Sequence, residues 1–171
     1  MTKKTVSYVI SPNNLLGFGC LEDALEIIRA LKVQKTLIVT DTFLVESGLI
    51  KSLFNMLDQA KVFYVLYDQV QPNPTARNVE QGLQVYQSNG CSLIISFGGG
   101  SAHDCAKGIA LMATHPGSIK DYEGNDRLKN STAPLITVNT TAGTGSEVTK
   151  FCIITDEERK VKMAISDWRL T

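Results

Sequence analysis

Along almost the whole chain, short apolar runs rich in β-branched residues alternate with stretches of helical periodicity, and no other feature restricts the fold as much. Residues 36–40, 61–66, 93–97 and 135–140 read as strands. The first and third of these, Thr-Leu-Ile-Val-Thr and Leu-Ile-Ile-Ser-Phe, lack the polar alternation of a half-exposed sheet. A strand that is apolar on both faces must be covered on both. The cover lies between the runs. Leu21, Ala24, Leu25, Ile28 and Leu31 share one helical face, Leu49, Leu53, Met56 and Leu57 another, and Val79, Leu83 and Tyr86 a third, while residues 102–112 read as a fourth helix. Pro72-Asn73-Pro74 forces a turn before the third helix, Thr75 can cap it and Gly90 stops it. Residues 6–10 add a candidate edge strand, and a polar loop runs through Asn130. Buried strands joined by helices of this length imply an α/β fold, a doubly wound parallel sheet with helices on both faces. Ligands of such sheets bind beyond the carboxyl ends of the strands.

A chain of 171 residues is expected to form one domain, 1–171. Lys plus Arg number 17 and Asp plus Glu number 17, so net charge draws the chain to neither nucleic acid nor an anionic membrane. A small molecule is the better default ligand. No apolar stretch approaches the ~18 to 20 residues needed to cross a bilayer. Cys20, Cys91, Cys105 and Cys152 show no C-x-x-C spacing, and no basic-then-apolar leader opens the chain. Both features suggest reduced thiols in the cytoplasm.

The strongest local signal is Phe97-Gly98-Gly99-Gly100-Ser101-Ala102-His103-Asp104-Cys105-Ala106-Lys107, a strand that turns through three glycines into a helix. Glycines allow a tight turn and let a bulky anion approach main-chain N–H groups, and the start of a helix adds partial positive charge. The segment reads as a pyrophosphate cradle, although it is neither G-x-G-x-x-G nor a P-loop. Its plainer reading is a tight turn that lets a helix pack closely. A second loop, Asn139-Thr140-Thr141-Ala142-Gly143-Thr144-Gly145-Ser146-Glu147, also follows a buried strand, and its hydroxyls suit phosphate or ribose. Asp41 ends the first strand, where a carboxylate can accept ribose hydroxyls and repel a 2′-phosphate. It can equally cap the helix that follows.

No catalytic or metal-ligating residue is assigned. His103 and His115 stand twelve positions apart with no carboxylate or Cys in ligand spacing, so both read as solvent or packing residues. Ser101 and Ser146 lack a G-x-S-x-G elbow, which leaves a hydrolase triad without support.

Together, Gly98-Gly99-Gly100-Ser101 with Asp104 and Lys107, and Thr140-Thr141-Ala142-Gly143-Thr144 with Ser146-Glu147, resemble the two nucleotide-binding motifs of the iron-containing (group III) alcohol dehydrogenases. Leu37-Ile38-Val39-Thr40-Asp41, Gln71-Pro72-Asn73-Pro74-Thr75, Asp121-Tyr122-Glu123-Gly124 and Phe151-Cys152-Ile153-Ile154-Thr155-Asp156 extend the likeness along the chain. It is greatest to the branch that holds bacterial ethanol, 1,3-propanediol and methanol dehydrogenases, through Gly-Gly-Gly-Ser-x-His-Asp-Cys and Val161-Lys162.

The resemblance implies a Rossmann-like amino-terminal domain that holds NAD and a helical second domain with the active site between them. It puts the adenosine ribose on Asp41 and Asn73, and the pyrophosphate on the turn from Gly98 through Gly99 and Gly100 to Ser101. Thr140, Thr141, Thr144 and Thr149 would line the rest of the groove, Ile153 and Lys162 would lie nearest the nicotinamide, and Asp104 would support the groove through hydrogen bonds. In that family Fe²⁺, or Zn²⁺, is held by one Asp and three His of the second domain. The ion polarises a small alcohol as hydride passes to the cofactor, giving NADH and an aldehyde. Those ligands have no counterpart here, so the helical domain is expected to be absent and the chain to bind cofactor without catalysing. A homodimer is a candidate assembly. The alternatives are a dehydroquinate-synthase-like or glycerol-dehydrogenase-like relative, against which the full Thr-Thr-Ala-Gly-Thr-Gly-Ser-Glu run argues, and a non-catalytic nucleotide-binding or assembly module.

Overall fold

A computed structural model describes residues 13–171, so the edge strand expected at residues 6–10 lies outside the described residues. The first half of the chain forms α1 (Ala24–Ala30), β1 (Thr36–Val39), α2 (Thr42–Glu46), α3 (Lys51–Gln59), β2 (Tyr64–Tyr67), α4 (Ala76–Ser88) and β3 (Leu93–Gly98). The second half forms α5 (Gly100–Met112), β4 (Gly124–Asn125), β5 (Leu135–Asn139), β6 (Phe151–Asp156) and β7 (Val161–Ser166), with 3-10 turns at Ile119–Tyr122 and Trp168–Leu170.

The four long strands form one parallel sheet in the order β2-β1-β3-β5. Thr36 stands beside Tyr64 on one flank and Leu93 on the other, and Ile94 stands beside Leu135. Because side chains alternate along a strand, neighbouring residues serve different cores. Leu37, Val39 and Ile94 join the cluster formed with α4 and α5, whereas Ile38, Leu93, Ile95 and Phe97 join the cluster formed with α1 and α3. The sheet is therefore covered on both faces, as its doubly apolar strands require. Each fully buried Leu or Ile is worth about 1.5 to 3 kcal/mol relative to exposure.

The crossover from β1 to β2 runs outward through α3, and the crossover from β2 returns through α4 on the opposite face to reach β3 on the far side of β1. The winding therefore reverses between β1 and β3, and a crevice opens beyond their carboxyl ends. α4 lies close against α5 because Gly82 offers no side chain to Ile109, and a Cβ at Gly108 would stand 2.7 Å from Val79.

The structure refines two expectations and adds an element that the sequence reading did not assign. The second helix begins at Lys51 as α3, leaving Leu49 outside it, and an unexpected short helix, α2, precedes it across Gly48 at φ +75°. The second strand starts at Tyr64 rather than residue 61, because Lys61 turns through φ +57°. The added element is residues 151–166, which form an antiparallel hairpin of β6 and β7 joined by β4 into a second, three-stranded sheet. Cys152, Ile154, Met163 and Ile165 of this hairpin are buried in the cluster that contains α5. Sandwiched between two sheets, α5 buries Ala102, His103 and every residue from Cys105 to Met112.

Candidate functional site

Gly98 ends β3 at φ +156°, and a Cβ there would stand 2.7 Å from that of Ala102, so only glycine fits the turn. Its carbonyl accepts the Thr140 N–H at 2.9 Å, which joins the ends of β3 and β5. Gly99 then caps α5 in an extended conformation. A Cβ at Gly99 would meet Thr141 Oγ1 at 2.9 Å, and one at Gly100 would meet Thr144 Cβ at 3.4 Å. The two motifs are thus in contact. Glycine is required on one side because threonine stands on the other. α5 is 13 residues long, and the N–H groups of its first turn have no partner within the helix, so they are available to an anion.

Beside this turn is a cavity of about 230 Å³ lined by Asn73, Gly100, Ser101, Asp104, Ile153 and Lys162, together with Pro74 and Thr155. Three distant segments converge here. The bridge between Thr75 and Thr155, with the Thr155 N–H donating to the Pro74 carbonyl at 2.7 Å, brings the β6–β7 hairpin against the Pro72–Pro74 turn. Lys162 Nζ donates to Asn73 Oδ1 at 2.7 Å, and the Asn73 N–H donates to Ser101 Oγ at 3.3 Å. Asn73 was expected with Asp41 on the adenosine ribose and Lys162 near the nicotinamide. In the structure the two side chains touch and line one cavity. The physical reason is the left-handed turn at Asn73, φ +58°, which directs the chain toward Ser101 and β7.

Asp104 sits one turn into α5, with Oδ1 accepting from Ser146 Oγ at 2.5 Å and Oδ2 from the Ile153 N–H at 3.1 Å. Burial raises its carboxyl pKa, and the bonds from Ser146 and Ile153 oppose that rise. Asp41 lies two residues beyond β1, where its Oδ1 accepts the Leu44 N–H at 2.9 Å and caps α2. Of its two expected roles, the structure shows the cap. Thr140, Thr141 and Thr144 are exposed beyond β5. Thr149 offers its carbonyl to Lys107 Nζ at 2.5 Å.

Neither histidine faces solvent. His103 is fully buried with Nδ1 2.7 Å from Ser96 Oγ, and burial lowers its pKa while Asn139 and Glu147 beside it oppose the fall. His115 Nε2 accepts the N–H groups of Lys129 and Asn130, and its ring meets Tyr122 edge-on, so it organises the polar loop. Periodicity could not reveal the buried role of Lys107 or His103. His103 is buried against Ser96 of β3, and Lys107 against the carbonyls of Thr149 and Phe151, contacts that helical spacing does not encode. Among the described residues no three His, Cys, Asp or Glu side chains form a group able to hold a metal ion, so a resident iron does not fit this site. No helix there is long and apolar enough to cross a membrane.

A model of the iron-containing alcohol dehydrogenases matches residues 11–171. Alcohol dehydrogenase 4 of Schizosaccharomyces pombe is 50% identical over 161 residues, covering 94% of this chain and 38% of the relative. The crystal structure of a 1,3-propanediol oxidoreductase superposes with a TM-score of 0.94 at 39% identity, over 98% of this chain and 44% of that one. A sulfoacetaldehyde reductase from Bifidobacterium kashiwanohense, solved in complex with NAD⁺, gives 0.81 at 30% identity, over 90% of this chain and 41% of that one. The chain thus spans about two fifths of the length of the relatives it matches.

Proposed function

Since the chain belongs to the iron-containing alcohol dehydrogenase family, we propose that it is the cofactor-holding part of an NAD-dependent enzyme that interconverts a small primary alcohol and its aldehyde. The observation that carries this reading is the contact between the glycine turn and the threonine loop at the carboxyl ends of β3 and β5. A dinucleotide needs such a place, with unpartnered N–H groups, no side chains on the approach and hydroxyls at the rim.

In this reading Gly99, Gly100 and Ser101 hold the pyrophosphate at the start of α5. Asp41 takes the adenosine ribose from the neighbouring strand end, on the other side of the crevice. Asn73 moves from its expected place beside Asp41 to the nicotinamide half, with Lys162 and Ile153. There the Lys162–Asn73 bond and the Asn73 N–H bond to Ser101 Oγ join three polar residues of the cavity wall. Thr140, Thr141 and Thr144 rim the groove, and Asp104 fixes the backbone at Ile153. Bound NAD would supply the hydride acceptor, and the described residues orient it. The described residues form no metal-holding group, so alcohol oxidation would require further residues of the protein. The buried free thiols of Cys91, Cys105 and Cys152 suit a reducing cytoplasm.

The test is calorimetric titration of the 171-residue chain with NADH. Saturable one-site binding is expected. Absence of binding would overturn the reading and leave a bare Rossmann-like scaffold.

A further inference from the structure

Residues 140–150 carry the threonines of the groove but contain no helix or strand. Bonds within the loop are few: the Val148 N–H donates to the Gly145 carbonyl at 3.2 Å, Thr144 Oγ1 donates to Glu147 Oε2 at 3.2 Å, and the Ser146 N–H donates to Thr144 Oγ1 at 3.4 Å. Such a segment would sample many conformations unless the fold held it. Two side chains of α5, one helical turn apart, reach across to hold it. Asp104 takes Ser146 and Ile153. Lys107 donates from Nζ to the carbonyls of Thr149 at 2.5 Å and Phe151 at 3.0 Å.

Lys107 is the less expected of the two, being only 1% exposed. Removing an ammonium group from water is unfavourable unless its protons find acceptors. The acceptors here are main-chain carbonyls on either side of Lys150, where the loop enters β6. An apolar side chain of similar length would fill the space without that desolvation, so packing alone gives no reason for a cation. Beside the Asp167 N–H bond to the Lys150 carbonyl at 3.0 Å, what the cation adds is a pair of charge-assisted bonds, one to the end of the loop and one to the first residue of β6. Across that loop Thr141 and Thr144 stand over Gly99 and Gly100 with no room for a Cβ at Gly99. A shift of Thr149 and Phe151 would therefore change the width of the groove.

We propose that Lys107 is a positioning residue for the dinucleotide: by tying the Thr149 and Phe151 carbonyls to α5, it holds the threonine loop against the glycine turn and so sets cofactor affinity. The proposal rests on the cofactor reading above, and two separate readouts keep them apart. In the whole 171-residue chain, Lys107→Met should weaken NADH binding about tenfold or more, since charge-assisted bonds that preorder the site are lost. In the same variant without ligand, amide hydrogen exchange should rise across residues 140–151 and stay unchanged in β1 and α3. Lys107→Arg, which keeps the charge and its donors, should restore most of both. Lys107→Gln, which keeps an amide donor without the charge, should fall between.

Wild-type affinity with wild-type loop exchange in Lys107→Met would overturn the proposal. So would a uniform rise in exchange over the whole chain, or failure of both Met and Gln variants to fold, because either makes Lys107 a general core residue. If the wild type binds no NADH, the cofactor reading fails by itself, and loop exchange alone decides whether Lys107 is the tether.

Discussion

Gly99 and Asp41 show how one residue can serve fold and ligand together. A Cβ at Gly99 would first meet Thr141 Oγ1, at 2.9 Å, so a side chain there both fills the anion approach and pushes the threonine loop outward. Gly99→Val should lower NADH affinity roughly 10- to 100-fold, the loss of one or two charge-assisted bonds. Equal calorimetric affinities in variant and wild type would remove the glycine turn from the site. Asp41 spends one oxygen on the cap of α2, which leaves the other to accept a ribose hydroxyl or repel a 2′-phosphate. Replacing a cap Asp with Gly costs only a few tenths of a kcal/mol. Asp41→Gly should therefore leave the melting temperature nearly unchanged while narrowing a preference for NADH over NADPH. A wild type that binds the two equally would limit Asp41 to capping.

Among the elements, α4 and α5 divide the work of building the groove. α4 begins with a capping box in which Thr75 Oγ1 accepts the Asn78 N–H and Asn78 Oδ1 accepts the Thr75 N–H. Asn78 is buried and also donates to Tyr67 OH and the Gln69 carbonyl, and burial pushes the Tyr67 phenol up to about 12. The box thus fixes the start of the helix directly after the Asn73 turn. Thr75→Ala should destabilise the fold by about 1 kcal/mol in urea titration, the usual value of such a cap. A change within error would mean that the bridge to Thr155 holds the turn without the cap. Where α4 fixes one wall, α5 fixes the other two, presenting the glycine turn at its start and the Asp104 and Lys107 tethers one and two turns later.

At the scale of the molecule, the sheet supplies a cofactor crevice while the described residues supply no metal-binding group. A tight iron or zinc site assembles three or four His, Cys or carboxylate ligands. His103 is fully buried with Nδ1 on Ser96, His115 accepts from the Lys129–Asn130 backbone, and neither stands in a group of three such ligands. The 171-residue chain is therefore expected to form no NADH from ethanol or 1,3-propanediol even with excess Fe²⁺, and to bind no stoichiometric iron. A chain extended to the length of its relatives should do both. Elemental analysis and NADH absorbance measure these outcomes. Steady turnover by the shorter chain would relocate the active site into the residues described here.

The parallel sheet, its two covered faces and the position of both loops beyond strand ends followed from the sequence alone, because each depends on local patterns. A strand apolar on both sides needs two layers, and a strand running into glycines can only turn at its carboxyl end. Asp41 could be placed for the same reason, since it is the residue that ends an unmistakable buried run. Only the tertiary structure decided that residues 151–166 form a hairpin across α5, because a short hairpin's pattern is weak until its partner layer exists. That hairpin buries Lys107, brings Lys162 to Asn73 across 89 positions of sequence, and turns Asp104 into the support of Ile153. Long-range hydrogen bonds of this kind leave no periodicity in a chain. They exist only once two elements, each legible by itself, are brought together by the apolar surface they share.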